Sequence, residues 1–196
     1  MRQSDFCAAK KRKAGRIMDL TKSRQRLPRA IGDRVLYGTD GVYEITDIRE
    51  ETIAGIRRRY YLLKGTTDRN GTLVYVPTDN AELVGAMRDL MSKEEAEALI
   101  GRSGAIPATA WEEDSRRRNE RFRAMTESGD RDQLISLIKT VHLSDLRRRR
   151  EGKKAYRADE IAMKKAERLL CSELACVLNV EEEEIARRMD LFAEEG

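Results

Sequence analysis

A single tryptophan, Trp111, lies shortly before a run of three arginines in this chain of 196 residues. The run comprises Arg116, Arg117 and Arg118. An exposed indole ring can insert between the bases of a nucleic acid or stack on one of them, and guanidinium groups beside it bind phosphates. The alternative is that Trp111 packs a β-rich domain against a helical one. The spacing alone does not decide between these two interpretations.

A second basic cluster follows at the end of a predicted helix. It suits contacts with a phosphate backbone, although a solvated surface without a partner would have the same composition. No helix carries the Asn, Gln and Arg pattern that reads base edges, so we expect binding without strong sequence specificity. The members of this cluster are Arg147, Arg148, Arg149, Arg150, Lys153 and Lys154.

The net charge of +4 conceals a segregation of charge along the chain. Residues 116–168 carry seventeen bases and nine acids, a balance of +8, whereas the residues from Glu173 onward carry eight acids and two bases. Phosphate binding depends mainly on Lys and Arg. A negatively charged partner is therefore expected at the basic middle of the chain and not at its acidic end.

No pattern in the sequence predicts catalysis. His142 is the only histidine and has no neighbouring metal-ligand residue, and no phosphate-binding loop of the G-x-x-x-x-G-K-[ST] type is present. We expect no enzyme activity, no cofactor and no metal. Cys171 and Cys176 lie in an apolar helical stretch and are expected to be small hydrophobic residues. Without a secretory signal or a stretch long enough to span a membrane, the chain is expected to be cytoplasmic.

The elements that must position these residues divide the chain into four parts, and the fold class is α+β. Residues 1–30 are expected to form a basic, disordered arm. Residues 31–91 contain four or five short strands, with turn signals at Asp40-Gly41 and Asn70-Gly71, which predict a small SH3- or Tudor-like β-barrel. Residues 92–110 read as a short helix and a linker. Residues 111–196 are expected to form a compact all-α bundle of four or five helices that ends in an acidic tail.

Capping residues and apolar periodicity predict the helices of the second half. Ser92 and Glu95 form a capping box at the start of the first one. The long helix from about Asp159 to Leu178 carries an i+4 ladder of apolar residues that is expected to lie in the core. The other predicted helices span residues 112–127, 130–142, 143–151 and 181–193.

Motifs in both halves resemble the CarD/CdnL family of bacterial RNA-polymerase-binding transcription regulators. The resemblance covers about residues 31–192. In the strand-rich half it rests on Ile31 to Tyr37, Gly41-Val42, Ile53-Ala54-Gly55, Tyr60 to Leu63, Val76 to Ala81 and Val84-Gly85. In the helical half it rests on Trp111, Arg118 to Arg121, Ser128 to Asp130 and Ala166 to Ala175.

This resemblance implies that the barrel docks on the β subunit of RNA polymerase by pairing strands at an edge of its sheet. It also implies that the helical domain reaches promoter DNA at the upstream edge of the transcription bubble, where Trp111 is the wedge and the two basic clusters contact phosphates. The protein would then be a monomer when free and would stabilise the open promoter complex. The implied polymerase-binding residues are Arg49, Glu51, Ile53, Tyr75 and Pro77.

A second function is compatible with the same residues. A Tudor-like barrel joined to a basic helical domain could be a stand-alone nucleic-acid-binding or ribosome-associated module. Such a module would bind DNA or RNA tightly without polymerase and would have no affinity for the β subunit.

Overall fold

The computed structural model describes residues 28–39, 41–66 and 73–189, which contain five strands and six α-helices. The strands are β1 (Arg34–Tyr37), β2 (Val42–Ile53), β3 (Ile56–Gly65), β4 (Leu73–Pro77) and β5 (Met87–Asp89). The helices are α1 (Ala81–Gly85), α2 (Lys93–Arg102), α3 (Ser115–Ser128), α4 (Arg131–Arg150), α5 (Arg157–Leu178) and α6 (Glu182–Arg188). Most of the predicted arm, the Asn70-Gly71 turn and the end of the acidic tail lie outside the described residues.

The strands form one antiparallel sheet in the order β4-β3-β2-β1-β5. Within the described part of the chain, the two end strands do not pair with each other. The prediction of a mixed fold with strands first and helices after them is therefore confirmed, whereas closure of the sheet into a barrel is not.

The β2–β3 hairpin extends well beyond the rest of the sheet. Its two-residue turn has positive φ angles at Ala54 (51°) and Gly55 (78°), as a type I′ turn requires. Strand β1 pairs only with the first three residues of β2, and a bulge follows between Ile45 and Asp47. As a result, the second half of β2 is paired with β3 on one side and with no strand on the other in the described structure.

Two hydrophobic clusters form the core. One lies on a single face of the sheet and the other fills the helical half, where α4 and α5 pack along each other. The apolar ladder predicted on α5 contributes to the helical cluster through Ala166, Leu170 and Leu174, with Leu169 beside them. The cluster on the sheet contains Val35, Ile45, Tyr61, Leu63, Val76 and Met87.

The buried carboxylate of Glu173 joins the two halves. It accepts the backbone N–H of Met91, which follows β5, at 3.0 Å, and the Nη2 of Arg131 on α4 at 2.6 Å. A second link runs from Arg88 on β5 to the carbonyl of Ser128 at the end of α3 (3.0 Å). These contacts fix the orientation of the sheet relative to the helices.

Some predicted elements differ from the structure. The helices predicted at 130–142 and 143–151 are one helix, α4, because no Gly or Pro separates them and Ser144 and Asp145 continue its buried face. Helix α5 begins at Arg157, two residues earlier than predicted. The short elements α1 and β5 were not predicted, since five and three residues are too few to show a periodicity.

The type I′ turn leads to a prediction about stability. Asn tolerates a positive φ better than Ala does, and Asn-Gly is the preferred pair for this turn. We therefore expect Ala54→Asn to raise the free energy of unfolding by roughly 0.5–1 kcal/mol, measured by urea denaturation. The matched control is Ala105→Asn, at an exposed position whose φ is not positive. An equal effect of both substitutions would contradict the explanation through the backbone of Ala54.

Candidate polymerase and nucleic-acid interfaces

The linker that leads to Trp111 is held against α4 by side chains of that helix. Thr140 accepts the backbone N–H of Thr109 on its hydroxyl at 2.8 Å. The ammonium group of Lys139 donates to three linker carbonyls, each at 2.8 Å, those of Ser103, Gly104 and Ile106. Trp111 therefore follows a segment whose path is fixed by hydrogen bonds.

Trp111 is half-buried and packs against the helical core. Its ring stacks on that of Tyr156, with centroids 6.4 Å apart and an interplanar angle of 22°. The guanidinium carbon of Arg118 lies 4.5 Å from the Trp111 centroid and 4.9 Å from that of Tyr156. These distances are typical of cation–π contacts, which orient an aromatic ring as well as stabilise it.

Arg118 itself is almost completely buried. Its Nε donates to the Asp159 carboxylate at 3.0 Å, and its Nη1 donates to the carbonyls of Glu112 (2.8 Å) and Glu113 (3.3 Å). The Arg118 and Asp159 side chains are 3% and 1% exposed. Whereas the other predicted phosphate contacts lie at or near the surface, Arg118 lies inside the domain and binds groups of its own chain.

The remaining residues of the first basic cluster are exposed. Arg116 pairs with Glu120 one turn along α3 (3.2 Å), and Arg117 has its side chain in solvent. Such an i,i+4 pair contributes little to stability and leaves the guanidinium accessible.

The second basic cluster lies at the carboxyl end of α4 and in the following loop. Positive charges at the C-terminus of a helix interact favourably with its dipole. This local effect is a structural reason for part of the run. Arg148 is half-buried, lies 3.8 Å over the Tyr156 ring and donates to the carbonyl of Lys154 at 2.7 Å. Lys153 pairs with Glu151 at 2.8 Å. The residues of this cluster that are exposed are Arg147, Arg149, Arg150, Lys153 and Lys154.

A groove of about 90 Å³ connects Trp111 with this cluster. Trp111 forms part of its wall, and Leu143, which is 53% exposed, and Arg147 form another part. Leu143 and Arg147 are both on α4, one turn apart. Trp111 therefore borders an opening that has an apolar and a positively charged wall.

The residues predicted for polymerase binding come together on the sheet. The strand register places Arg49 opposite Tyr60 and Tyr60 opposite Pro77. Because side chains alternate between the faces of a sheet, all five predicted residues lie on the face opposite the buried Tyr61. The apolar residues that are exposed on the same face are Ile53, Ile56, Leu73 and Tyr75.

The second half of β2 also presents its backbone at an open edge. The N–H and C=O of Ile45 pair with Asp33 and Gly32, and the strand bulges immediately after it. Beyond the bulge, every second residue points its N–H and C=O away from β3. The N–H of Ile48 is satisfied by the Asp47 carboxylate at 2.8 Å. Nearer the hairpin tip, the same alternation directs the backbone of Thr52 toward the open edge.

Two residues of this site were missed by sequence reasoning. Tyr156 stacks on Trp111, and Asp159 binds Arg118, yet the sequence shows only a tyrosine and an acid near the start of a helix. The sequence predicts Asp159 only as the approximate start of the long helix. The role of the Asp159 carboxylate comes from its pairing with the buried Arg118 on another helix.

The described residues contain no group of three or more His, Cys, Asp or Glu side chains placed to hold a metal ion. None of the helices in this part of the chain has the length and hydrophobicity needed to cross a membrane.

The structure defines an α+β protein in which an antiparallel sheet with an open edge is followed by a helical domain. Comparison with family models identifies the first part: residues 30–91 match the CarD-like/TRCF RID domain, and this segment belongs to that family. The match suggests a transcription-related function with RNA polymerase as a partner. The comparison with curated proteins gave no match.

The buried ion pair leads to a second prediction. Replacing Arg118 by Ala leaves the Asp159 carboxylate buried and unpaired, which costs about 3–5 kcal/mol of the free energy of unfolding. Denaturant unfolding followed by far-UV circular dichroism measures this loss, and the fluorescence of Trp111, the only tryptophan, is expected to change with it. The control is Arg117→Ala at the exposed neighbouring position, where we expect a change within about 0.5 kcal/mol.

The double variant with Asp159→Asn separates the pair from its surroundings. Because the second substitution removes the stranded charge, the double variant is expected to lose less stability than the sum of the two single variants. Additive losses would show that the two side chains do not act as a pair.

Proposed function

We propose that this protein is a transcription regulator that docks on the β subunit of RNA polymerase through the open edge of β2 and stabilises the open promoter complex through Trp111. The observation that supports it most is the extended β2–β3 hairpin within the RID domain. Its open edge offers backbone hydrogen bonds in a geometry that suits an added strand.

The adjoining face supplies side-chain contacts for the same partner. Ile53 and Ile56, which pair beside the hairpin turn, are 43% and 52% exposed, and Tyr75, whose ring contacts that of the buried Tyr60, is 37% exposed. Exposed apolar and aromatic residues are enriched at the centre of protein interfaces, and polar groups form the rim. Arg49, which pairs with Asp47 and Glu51 in the free protein, adds a charged group at the border of this set.

The helical domain would then meet DNA at the upstream edge of the bubble. Trp111 faces the groove that it shares with Leu143 and Arg147, so an apolar wedge and a phosphate-binding group lie side by side. Inserting an apolar side chain costs unstacking energy, a few kcal/mol per step in intact duplex. The cost is lower where the duplex is already distorted by melting, which favours this position.

In this proposal Arg118 is a positioning residue and does not contact phosphate. Its guanidinium is occupied by Asp159 and two carbonyls, and it contacts the ring of Trp111. The phosphate contacts fall to the exposed arginines and lysines of the two basic clusters. Function by binding, without catalysis, follows from these roles.

The docking step is tested by Thr52→Pro. Proline removes one backbone N–H, and on an edge facing solvent it leaves the β2–β3 ladder intact. A hydrogen bond lost at a buried interface costs about 1–3 kcal/mol, so we expect the full chain to bind the isolated β-subunit lobe roughly 5- to 150-fold more weakly. Biolayer interferometry measures the affinity.

Thr52→Val keeps the N–H and is the matched control, with binding expected close to that of the unsubstituted chain. Equal weakening by both substitutions would assign the effect to the side chain. Absence of binding by the unsubstituted chain, together with tight binding to DNA or RNA, would favour the stand-alone nucleic-acid module instead.

The wedge is tested by Trp111→Ala in the complete transcription complex. We expect normal polymerase binding and an open complex that decays roughly tenfold faster, equal to about 1.4 kcal/mol of lost stabilisation. Competitor-challenge experiments on a linear promoter measure the lifetime.

Because Trp111 also packs against the helical core, Trp111→Phe accompanies it. This variant keeps an aromatic ring over Arg118 and is expected to retain most of the lifetime and of the thermal stability. An unchanged lifetime in Trp111→Ala would contradict the wedge.

A further inference from the structure

The first half of α5 carries four bases on one side of the helix. At 100° per residue, Arg157, Lys164, Lys165 and Arg168 fall within an arc of about 100° and extend over about 16 Å of the axis. All four are exposed, and Ile161, in the same arc, is 58% exposed. We name these four bases the α5 basic face.

Of the acids in this half of the helix, Asp159 lies on the opposite side, whereas Glu160 and Glu167 lie at the edge of the face next to Lys164. Asp159 is buried against Arg118, and Glu160 and Glu167 are half-buried. Burial, opposed only partly by Lys164, raises the pKa of the Glu167 carboxyl. These two carboxylates therefore border the α5 basic face beside Lys164 and offset only that end of it.

The α5 basic face also differs from other exposed bases of the helical half. Arg123 on α3 pairs with Glu127 at 2.7 Å, and Arg102 pairs with Asp132 at 2.6 Å. In the described part of the chain, none of the four α5 bases is in an ion pair. Arg168 interacts electrostatically with Glu182 on α6, which is half-buried and has its pKa raised by that burial.

The position of this face links it to the site around Trp111. Arg157 directly follows Tyr156, whose ring stacks on Trp111 and lies under the guanidinium of Arg148. From there the face runs along α5 until α6 and the sheet cover the helix near Cys171 and Ser172, both buried. A ligand that contacts Trp111 and the end of α4 can therefore continue onto α5.

We propose that the α5 basic face binds the phosphate backbone of duplex DNA beside the Trp111 contact; this rests on the proposed function. Duplex DNA carries one negative charge per roughly 1.7 Å of axis with both strands counted, so the phosphates on the near side of about 16 Å of duplex form a line of charge along the helix. Four unpaired bases match such a line of charge. An acidic protein partner fits less well, because an interface of that kind needs a larger apolar centre than Ile161 provides.

The test compares two triple variants of the full chain, without polymerase, on a labelled DNA duplex of arbitrary sequence. Lys164→Gln, Lys165→Gln and Arg168→Gln remove three charges from the α5 basic face. Arg102→Gln, Arg123→Gln and Arg188→Gln remove three charges that are already paired with acids. Fluorescence anisotropy over a salt series gives the slope of log K against log salt concentration for each protein.

Each phosphate contact adds about 0.9 to that slope. We expect the α5 variant to lose roughly two to three units of slope and the control variant less than one. Thermal melting checks that both variants fold, and their binding to the β-subunit lobe is expected to be unchanged.

Equal slopes for the α5 variant and the unsubstituted chain would overturn this proposal while leaving polymerase docking and the wedge as they stand. Failure of the unsubstituted chain to bind duplex DNA at low salt, or a preference for single-stranded RNA, would overturn it as well. A different result, the absence of β-subunit binding by the unsubstituted chain, would overturn the proposed function.

Discussion

The arrangement of the helical half depends on the buried ion pair between Arg118 and Asp159. Removing two charges from water is costly, and the pair is tolerated only where additional hydrogen bonds satisfy the guanidinium. Two carbonyls of the segment after Trp111 supply them, so α3, α5 and that segment are tied at one point. The aromatic rings of Trp111 and Tyr156 then cover the guanidinium, and the geometry of the candidate DNA site follows from this one interaction.

In the sheet, the corresponding constraint is the length of the β2–β3 hairpin. Because β1 stops pairing after Glu44, the bulge and the type I′ turn produce a strand that is structured by one neighbour only. Open edges are usually protected against association, for example by charged residues. Here Arg49, Glu50 and Glu51 follow one another along the strand, so the edge carries charges of this protective kind.

The sequence was informative where a pattern is local. The capping box of Ser92 and Glu95 and the apolar ladder of α5 both predict elements that the structure contains. It was less informative where a role depends on distant residues. Arg118 looks like its exposed neighbours Arg116 and Arg117, and only its contact with Asp159, forty-one positions later, places it inside the domain. Sheet closure is equally undetermined, because strand patterns do not specify how the end strands meet.

The carboxylate of Glu173 has a geometric consequence. It binds the backbone of Met91 and the side chain of Arg131 at once. The connection after β5 is therefore restrained, and with it the distance and orientation between the sheet and the helices. In the proposed complex, the sheet is bound to the polymerase and the helical half carries Trp111. The base step that the indole contacts is then determined by its distance from the polymerase and by its rotational position around the duplex. In two promoters of unrelated sequence, the contacted step lies at the same distance from the enzyme.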